Sequence, residues 1–579
     1  MAVRQLLSLA FALSLLAACT APPPAAPAPQ AAASAASAPA QPIAPLTVAG
    51  TFADNAIVYA LITDRFDNGN PANDNAYGRK REAAPQDDVA TFHGGDLKGV
   101  TNKLRDGWFK QLGVNAICIS ALYEQIHGWV VGGSKEFKRY AYDGDDALDY
   151  TLLDANIGTP DELREMVDTA HAQGIRIVFD VQMNHPGELD IQTAQELGVR
   201  VLWPGASGAT LRNYDSFIDH SNFAFGDWWG RDWVRAALPG YLAGGSDTYT
   251  MQVASRPDFR TESKEPVKLP RFLRNKPGTR AVDLTNATVR DHLVKWLADW
   301  VRDYGIDGIH AVSVQHVEPD TWLALKTKAT QALAEWKAKN PSKKIDDQPF
   351  WMGGEYPDLG PERHALNDFG FDALINFDFQ RRSAGLEQPE PLFARYASAL
   401  AGRPGHSTLS FLSSRDTELF DRSRLVDGAA ALLLAPGGVQ IFYGDEAARP
   451  AGRAPASDPR QATRSDMNWS SADPALLAHW RKLGSFRSRH VALARGTHQM
   501  LSETPYVFSR IDAASDDRVV VAMNVSGEVV IPVGSTFPDG RWLKDAYGGQ
   551  QVVVANGQVK LNAARYVLLE RTASPTLAQ

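Results

Sequence analysis

The sequence predicts a (β/α)8 barrel with one long excursion, followed by an antiparallel β-sandwich. Three observations predict it. Apolar strand-like runs alternate with amphipathic helical stretches along most of the chain. The alternation lapses between His185 and about Val282, in a stretch rich in Asp, Gly, Trp and Asn. From about Phe486 the pattern changes to short alternating runs. Strand–helix alternation implies a parallel sheet with helices outside it. The run is too long for a small doubly wound sheet and fits a closed barrel.

In order, residues 56–62 read as a strand, 97–112 as a helix and 115–120 as a strand. Residues 160–173 read as a helix and 175–181 as a strand; 289–304 is helical and 308–314 a strand; 319–339 is helical and 350–354 a strand. The lapse after the third strand reads as an excursion at the barrel's C-terminal face, over 186–282. The later runs, 506–511, 519–524, 552–554 and 566–569, alternate with period two, and Asn556-Gly557 is a turn signal between two of them. The expected domains are a signal peptide at 1–19, a linker at 20–50, the barrel at 51–485 and the sandwich at 486–579.

The 579 residues suffice for a large core. With 44% hydrophobic and 22% charged residues, the composition is that of a soluble globular protein. A net charge of −8 gives a nucleic-acid partner no electrostatic support. The 14 Trp and 16 Tyr suit carbohydrate stacking, but on composition alone they read first as core.

The N-terminus reads as an export signal. Arg4 supplies the positive region, and the apolar run 6–16 is too short for a stable membrane span. Leu16-Ala17-Ala18-Cys19 resembles a bacterial lipobox, which implies cleavage before Cys19 and lipid anchoring through it. Thr20 follows where an aspartate would signal inner-membrane retention, so an outer membrane, facing periplasm or cell surface, is the expected destination. The Ala/Pro/Ser/Gln run after it is a flexible tether. That leaves Cys118, which reads as a buried, inert thiol in an apolar strand.

Several separated motifs come in order: Asp180-Val181-Gln182-Met183-Asn184-His185, Gly308-Ile309-His310-Ala311-Val312-Ser313-Val314-Gln315-His316, Trp351-Met352-Gly353-Gly354-Glu355, and Ser413-Ser414-Arg415-Asp416. Phe371-Asp372-Ala373-Leu374-Ile375-Asn376-Phe377 and Val439-Gln440-Ile441-Phe442-Tyr443-Gly444-Asp445-Glu446 add two barrel segments. The ordered set resembles glycoside hydrolase family 13, the α-amylases. Gln125-Ile126-His127-Gly128-Trp129 and Arg464-Ser465-Asp466-Met467-Asn468-Trp469 resemble the bacterial periplasmic members. The resemblance covers about residues 52–570.

It implies a retaining mechanism with two carboxyls about 5–5.5 Å apart. Glu355 takes the place of the general acid, kept protonated by partial burial. Asp416 takes that of the third carboxylate. The nucleophile position holds Val312, which can neither attack nor ionise. The family's arginine is His310, its lysine Gln315 and its last histidine Arg415. Where a stacking tyrosine follows a histidine-glycine pair, this chain has Asp143-Gly144-Asp145-Asp146. Asn184, His185 and His316 survive. Taken alone, Asp180 reads equally as a strand-end cap, and His185 as a loop histidine. Asp145 or Asp146 offers a relocated nucleophile. Asp307, at the start of its strand, points to the barrel's other end.

The resemblance also implies structural Ca²⁺. One site would use Asn184, Asp258 and the carbonyl of His316. A second would use Asp67, Asn68, Asn70, Asn73 and Asp74 with Gly94 and Asp96, hard oxygen donors on a glycine-containing loop. The expected function is binding of α-1,4-glucan or maltooligosaccharide with absent or impaired hydrolysis. Candidate sugar contacts are Asn184, His185, His310, Gln315, Arg415 and, outside the altered pocket, Trp129. The alternatives are an active α-glucan hydrolase or transferase with a rearranged site, and a non-catalytic surface scaffold. No protein partner is indicated.

Overall fold

The computed structural model describes residues 50–79, 89–385, 389–403 and 406–574. The export signal, the Cys19 lipobox and all but the last residue of the tether lie outside them. Eight parallel strands close into a barrel: β1 (Ile57–Ala60), β2 (Ala116–Ile119), β3 (Arg176–Val181), β4 (Gly308–Ala311), β5 (Trp351–Gly354), β6 (Ala373–Asn376), β7 (Ser407–Phe411) and β8 (Gly438–Phe442). Each strand pairs with its neighbours in chain order, and β8 closes on β1. The strands are short, apolar and buried on both faces, as helix-covered parallel strands must be.

The helices have readable ends. Thr159 and Glu162 form a reciprocal capping box before helix Pro160–Ala172, with Pro160 at its first position. Thr288 and Asp291 do the same for helix Val289–Tyr304. That helix stops at Gly305, where φ is 77° and a Cβ would stand 2.3 Å from the Trp336 ring.

Three local expectations are corrected. The helix expected over 97–112 is two, Leu97–Arg105 and Trp108–Gln111, because Gly107 takes φ 74° between them. The strand expected over 308–314 stops at Ala311, because Ser313 turns the chain at φ 53° into a short 3-10 turn, Val314–His316. The expected boundary at 485/486 falls inside helix Pro474–Arg489, and the sandwich strands begin at Thr497.

The excursion after β3 carries four tryptophans, of which Trp228, Trp229 and Trp233 are core and Trp203 is half exposed. Trp229 packs edge-on to Phe259 and Phe272, and Trp233 stacks on Trp296 of helix Val289–Tyr304 at 5.6 Å. The excursion is thereby sealed to the barrel wall.

The C-terminal region has a six-stranded antiparallel sheet facing a two-stranded one, Gly527–Pro532 with Gln558–Ala563. Val520, Ile531, Leu543, Leu561 and Leu569 fill the space between them. Asn556 and Gly557 both take positive φ at the expected turn. Buried Arg487 donates to the Leu433 and Ala435 carbonyls, and Arg510 to that of Leu493. Arg510 also donates to the Leu434 carbonyl, which ties the sandwich to the barrel, and both buried guanidiniums are held by backbone carbonyls rather than by a carboxylate.

Candidate functional site

The C-terminal ends of β2, β3, β4 and β5 bring the chemistry together. Register sets His310 of β4 beside Asp180 of β3 and Gly353 of β5. Glu355 follows β5 directly, and its backbone N–H donates to the Ala311 carbonyl at 2.8 Å. A cavity of about 50 Å³ lies here, bordered by Cys118, Asp180, His310, Glu355, Arg415 and Asp416 among others. That volume suits a few waters.

Asp180 is the hub of this pocket. Its Oδ2 accepts from Arg415 Nη1 at 2.8 Å. Its Oδ1 faces His310 Nδ1 at 2.9 Å and the Cys118 thiol at 3.5 Å. Burial would push the Asp180 carboxyl up, but the Arg415 charge and the His310 hydrogen bond hold it below its usual range. Burial would likewise lower the His310 imidazolium, and Asp180 outweighs it, so His310 is shifted up. Burial pushes the Cys118 thiol well up, as its apolar strand predicts.

Arg415 is the second hub. It lies 3.1 Å from Asp416 Oδ2 through Nε and 3.6 Å from Asp145 Oδ1 through Nη2. Arg464 reaches Asp416 Oδ1 at 2.8 Å and Asp143 Oδ2 at 2.7 Å. Burial opposes ionisation of Asp416, but Arg415 and Arg464 outweigh it and its carboxyl is lowered. Glu355 has no such cation of its own. Burial first, then the Asp416 charge, pushes it up to about 6. Burial and the Asp143 charge push Asp145 up to about 7.

Val312 follows two residues after His310. It is buried, and its N–H donates to the Val181 carbonyl at 3.1 Å, continuing the ladder with β3. It brings no polar atom to the pocket. Asp146 is held by Arg139 and Arg256 and is fully buried, so it is structural. Asp307 pairs with His171 at 2.8 Å, before β4, as its place in the strand predicts.

Other expected residues lie elsewhere. His185 is buried, with Nδ1 on the Pro186 carbonyl; burial and nearby Arg256 lower it to about 3, so it is neutral. Gln315 borders a separate cavity of about 350 Å³ with Tyr249, Tyr356, His364 and Phe369. Trp129 packs on Tyr214 at 4.7 Å between centroids, with the Lys138 ammonium 4.9 Å from its ring. It borders a third cavity, of about 220 Å³, with Gln192 and Gln195.

The Asn184 amide donates to Asp258 Oδ1 at 3.0 Å and to the His316 carbonyl at 3.2 Å. Its Oδ1 is buried with no hydrogen-bond partner among the described residues. Arg235 lies 3.3 Å from Asp258 Oδ2. In the N-terminal loop Asn68 donates to Asp74 at 2.9 Å, and Gly94 packs so closely that a Cβ would meet both. Both side-chain ends of Asn73 are buried without a partner among the described residues. Asp96 instead caps helix Leu97–Arg105 through Gly99 N–H and accepts from Gly69 and Asn70, while Asp67 leans toward Lys103 at 3.6 Å. Asn70 accepts from the Ala72 N–H and donates through Nδ2 to Glu162 Oε1 at 3.0 Å.

The sequence reading passed over Cys118, Asp143 and Arg464 as site residues and left Asp180 open. The available signal was the inward alternation of β2 and β3, which places Cys118 and Asp180 on the barrel's inner face.

The sequence matches the model of the α-amylase catalytic domain over residues 60–196. It is 45% identical to the periplasmic alpha-amylase of Escherichia coli over 494 residues, 81% of this chain and 71% of that protein. It is 24% identical to neopullulanase 2 of Thermoactinomyces vulgaris, covering 89% of this chain and 77% of that one. Among solved structures, an Anoxybacillus alpha-amylase superposes with a TM-score of 0.61 at 21% identity, covering 91% of this chain and all of that one.

Proposed function

The chain belongs to the α-amylase family, and from that premise we propose that it is an exported, lipid-anchored protein that binds α-1,4-glucan without hydrolysing it. One observation carries the reading. At the end of β4, where the family's pattern has a nucleophilic aspartate, stands Val312, and the pocket beside it is spanned by Arg415 bonded to Asp180 and Asp416. A covalent mechanism without its nucleophile loses many orders of magnitude in rate. Export is supported by the N-terminal signal pattern and by the periplasmic naming of the E. coli relative.

The cavity bordered by Tyr249, Gln315, Tyr356 and His364 is the better place for a maltooligosaccharide. It is roomier, flanked by rings, and continuous in sequence with the pocket through Glu355-Tyr356. Trp129 is a weaker platform, because its ring is engaged by Tyr214 and Lys138.

A Ca²⁺ ion fits the Asn184 site. Asn184 Nδ2 faces the Asp258 carboxylate and the His316 carbonyl; turning the amide over brings the buried, unpartnered Oδ1 to face them and gives an all-oxygen set suited to a hard cation. In the N-terminal loop Asn68, Asn73, Asp74 and Gly94 are the better candidates, since Asp96 is already used as a cap.

A second reading rests on Asp145. A carboxyl pushed up to about 7 beside Arg415, with Glu355 at about 6, supports a rearranged hydrolase. The test is hydrolysis of soluble starch and a chromogenic maltooligosaccharide by the full chain, beside Glu355→Gln and Asp145→Asn. No turnover, with migration retarded in starch-containing gels and restored by Tyr356→Ala, supports binding alone. Turnover that disappears in both carboxyl variants replaces that reading with the rearranged enzyme.

A further inference from the structure

Cys118, Asp180 and His310 come from three consecutive barrel strands and all face the same inner space. Their ligand atoms all lie within 4.8 Å of one another. Thiol, imidazole and carboxylate together suit a borderline-soft cation rather than the hard Ca²⁺. We propose that this cluster is a Zn²⁺ site inside the barrel mouth, distinct from any Ca²⁺ site and independent of glucan binding.

Two of the three ligand pairs, those that share Asp180 Oδ1, are close to what the ion requires. Tetrahedral Zn²⁺ with bonds of about 2.0–2.3 Å places its ligands about 3.3–3.7 Å apart. The Cys118 Sγ to Asp180 Oδ1 distance is already 3.5 Å. The His310 Nδ1 to Asp180 Oδ1 distance of 2.9 Å must open by a few tenths of an ångström. Asp180 Oδ1 is the oxygen that both other groups face. Its Oδ2 is held by Arg415 at 2.8 Å, the kind of outer bond that fixes which oxygen of a carboxylate meets a metal.

His310 Nε2 is buried and has no hydrogen-bond partner among the described residues, so the ring stands one partner short. The metal would take the other ring nitrogen: with Nδ1 on the ion, Nε2 keeps the proton. The water space of the adjoining cavity supplies the fourth ligand and the entry path: the Asp180 and His310 side chains are 13% and 12% exposed.

The exchange balances. Zn²⁺ enters; the thiol proton and the proton on Nδ1 leave, the latter to Nε2 or to solvent. Thiolate and carboxylate then neutralise the ion, and no oxidant or reductant is involved.

The full chain, stripped of metal and held in excess Ca²⁺ to fill oxygen sites, is titrated with Zn²⁺ by equilibrium dialysis and with Co²⁺ by absorption spectroscopy. The expected result is one Zn²⁺ per chain and a thiolate-to-Co²⁺ charge-transfer band. Cys118→Ser removes the band, and Cys118→Ser and His310→Gln each weaken Zn²⁺ by more than about 100-fold. The wild-type Co²⁺ spectrum decides the matter even if a variant fails to fold. Less than one Zn²⁺ per chain, Co²⁺ bound without a thiolate band, or unchanged Zn²⁺ binding in a folded Cys118→Ser would each overturn the assignment.

Discussion

Arg415 Nη1 lies 2.8 Å from Asp180 Oδ2, across the inside of the barrel mouth. A guanidinium stays charged in proteins, so this contact is permanent across ordinary pH. It commits Asp180 to an internal ion pair, and through Nε it engages Asp416 as well. A sugar hydroxyl entering here competes with charge-assisted hydrogen bonds rather than with water.

The first prediction follows from that burial. Both side chains are about seven-eighths buried, at 12% and 13% exposure. Arg415→Gln leaves the Asp180 and Asp416 carboxylates facing each other with one cation fewer. The expected cost is about 3–5 kcal/mol in unfolding free energy, read from denaturant titration. A loss below about 1 kcal/mol would mean that water already screens the network.

If the protein binds glucan without hydrolysing it, as proposed, hydrolysis needs more than one residue to be introduced. Val312→Asp alone adds a carboxylate to a pocket still crossed by Arg415, and the attacking oxygen has no cleared space for a ring. The expected outcome is no turnover of a chromogenic maltooligosaccharide by Val312→Asp. Measurable turnover is expected only when Arg415→His and His310→Arg are added, because these free Asp416 and supply a cation beside the new nucleophile. Turnover by the single variant would show that Arg415 does not block the ring.

The barrel was legible because its evidence is periodic. Helices Val289–Tyr304 and Pro319–Lys339 begin and end where apolar spacing, caps and Gly305 say they must. The strand after Gly308 was read too long, because Val312 and Val314 continue the apolar alternation while Ser313 breaks it with a positive φ that serine does not advertise. Val312, His310 and Arg415 are plain in the sequence, and two of them, His310 and Arg415, border the pocket. What they do together was not legible there. That Arg415 reaches Asp180, more than two hundred residues away in sequence, depends on barrel closure, and no local pattern encodes it. The same holds for Arg464, whose bonds to Asp143 and Asp416 cross the pocket from the loop after β8.

Glu355 gives a pH test. Its carboxyl is raised to about 6 from an ordinary value near 4.5. The folded protein therefore holds this proton more tightly than the unfolded chain. The stability it contributes is full below about pH 4.5 and is lost as pH rises through about 6. Glu355→Gln removes the dependence. Relative to wild type, the variant is expected to be more stable at pH 8 by about 1–2 kcal/mol and no more stable below pH 4.5. Equal stability at pH 8 would show that solvent relaxes the burial that raises this group.

Calcium gives the last test, through Asn184. Its Oδ1 is buried without a partner, a state that costs about 1–3 kcal/mol for an amide oxygen. With the amide turned over, an ion bonded to that oxygen removes the cost and joins the loop after β3 to Asp258 in the excursion and to the turn that follows β4, which Nδ2 now contacts. Ca²⁺ at about 100 times its dissociation constant would add about 2.7 kcal/mol to stability. Ca²⁺ is therefore expected to raise the melting temperature of the wild-type chain, and a chelator to reverse it. Asn184→Ala should lose most of that response while Asn73→Ala loses only what the N-terminal loop contributes, which separates the two candidate sites. A melting temperature indifferent to Ca²⁺ in wild type would leave Arg235, already 3.3 Å from Asp258, as the cation that stands in for the metal.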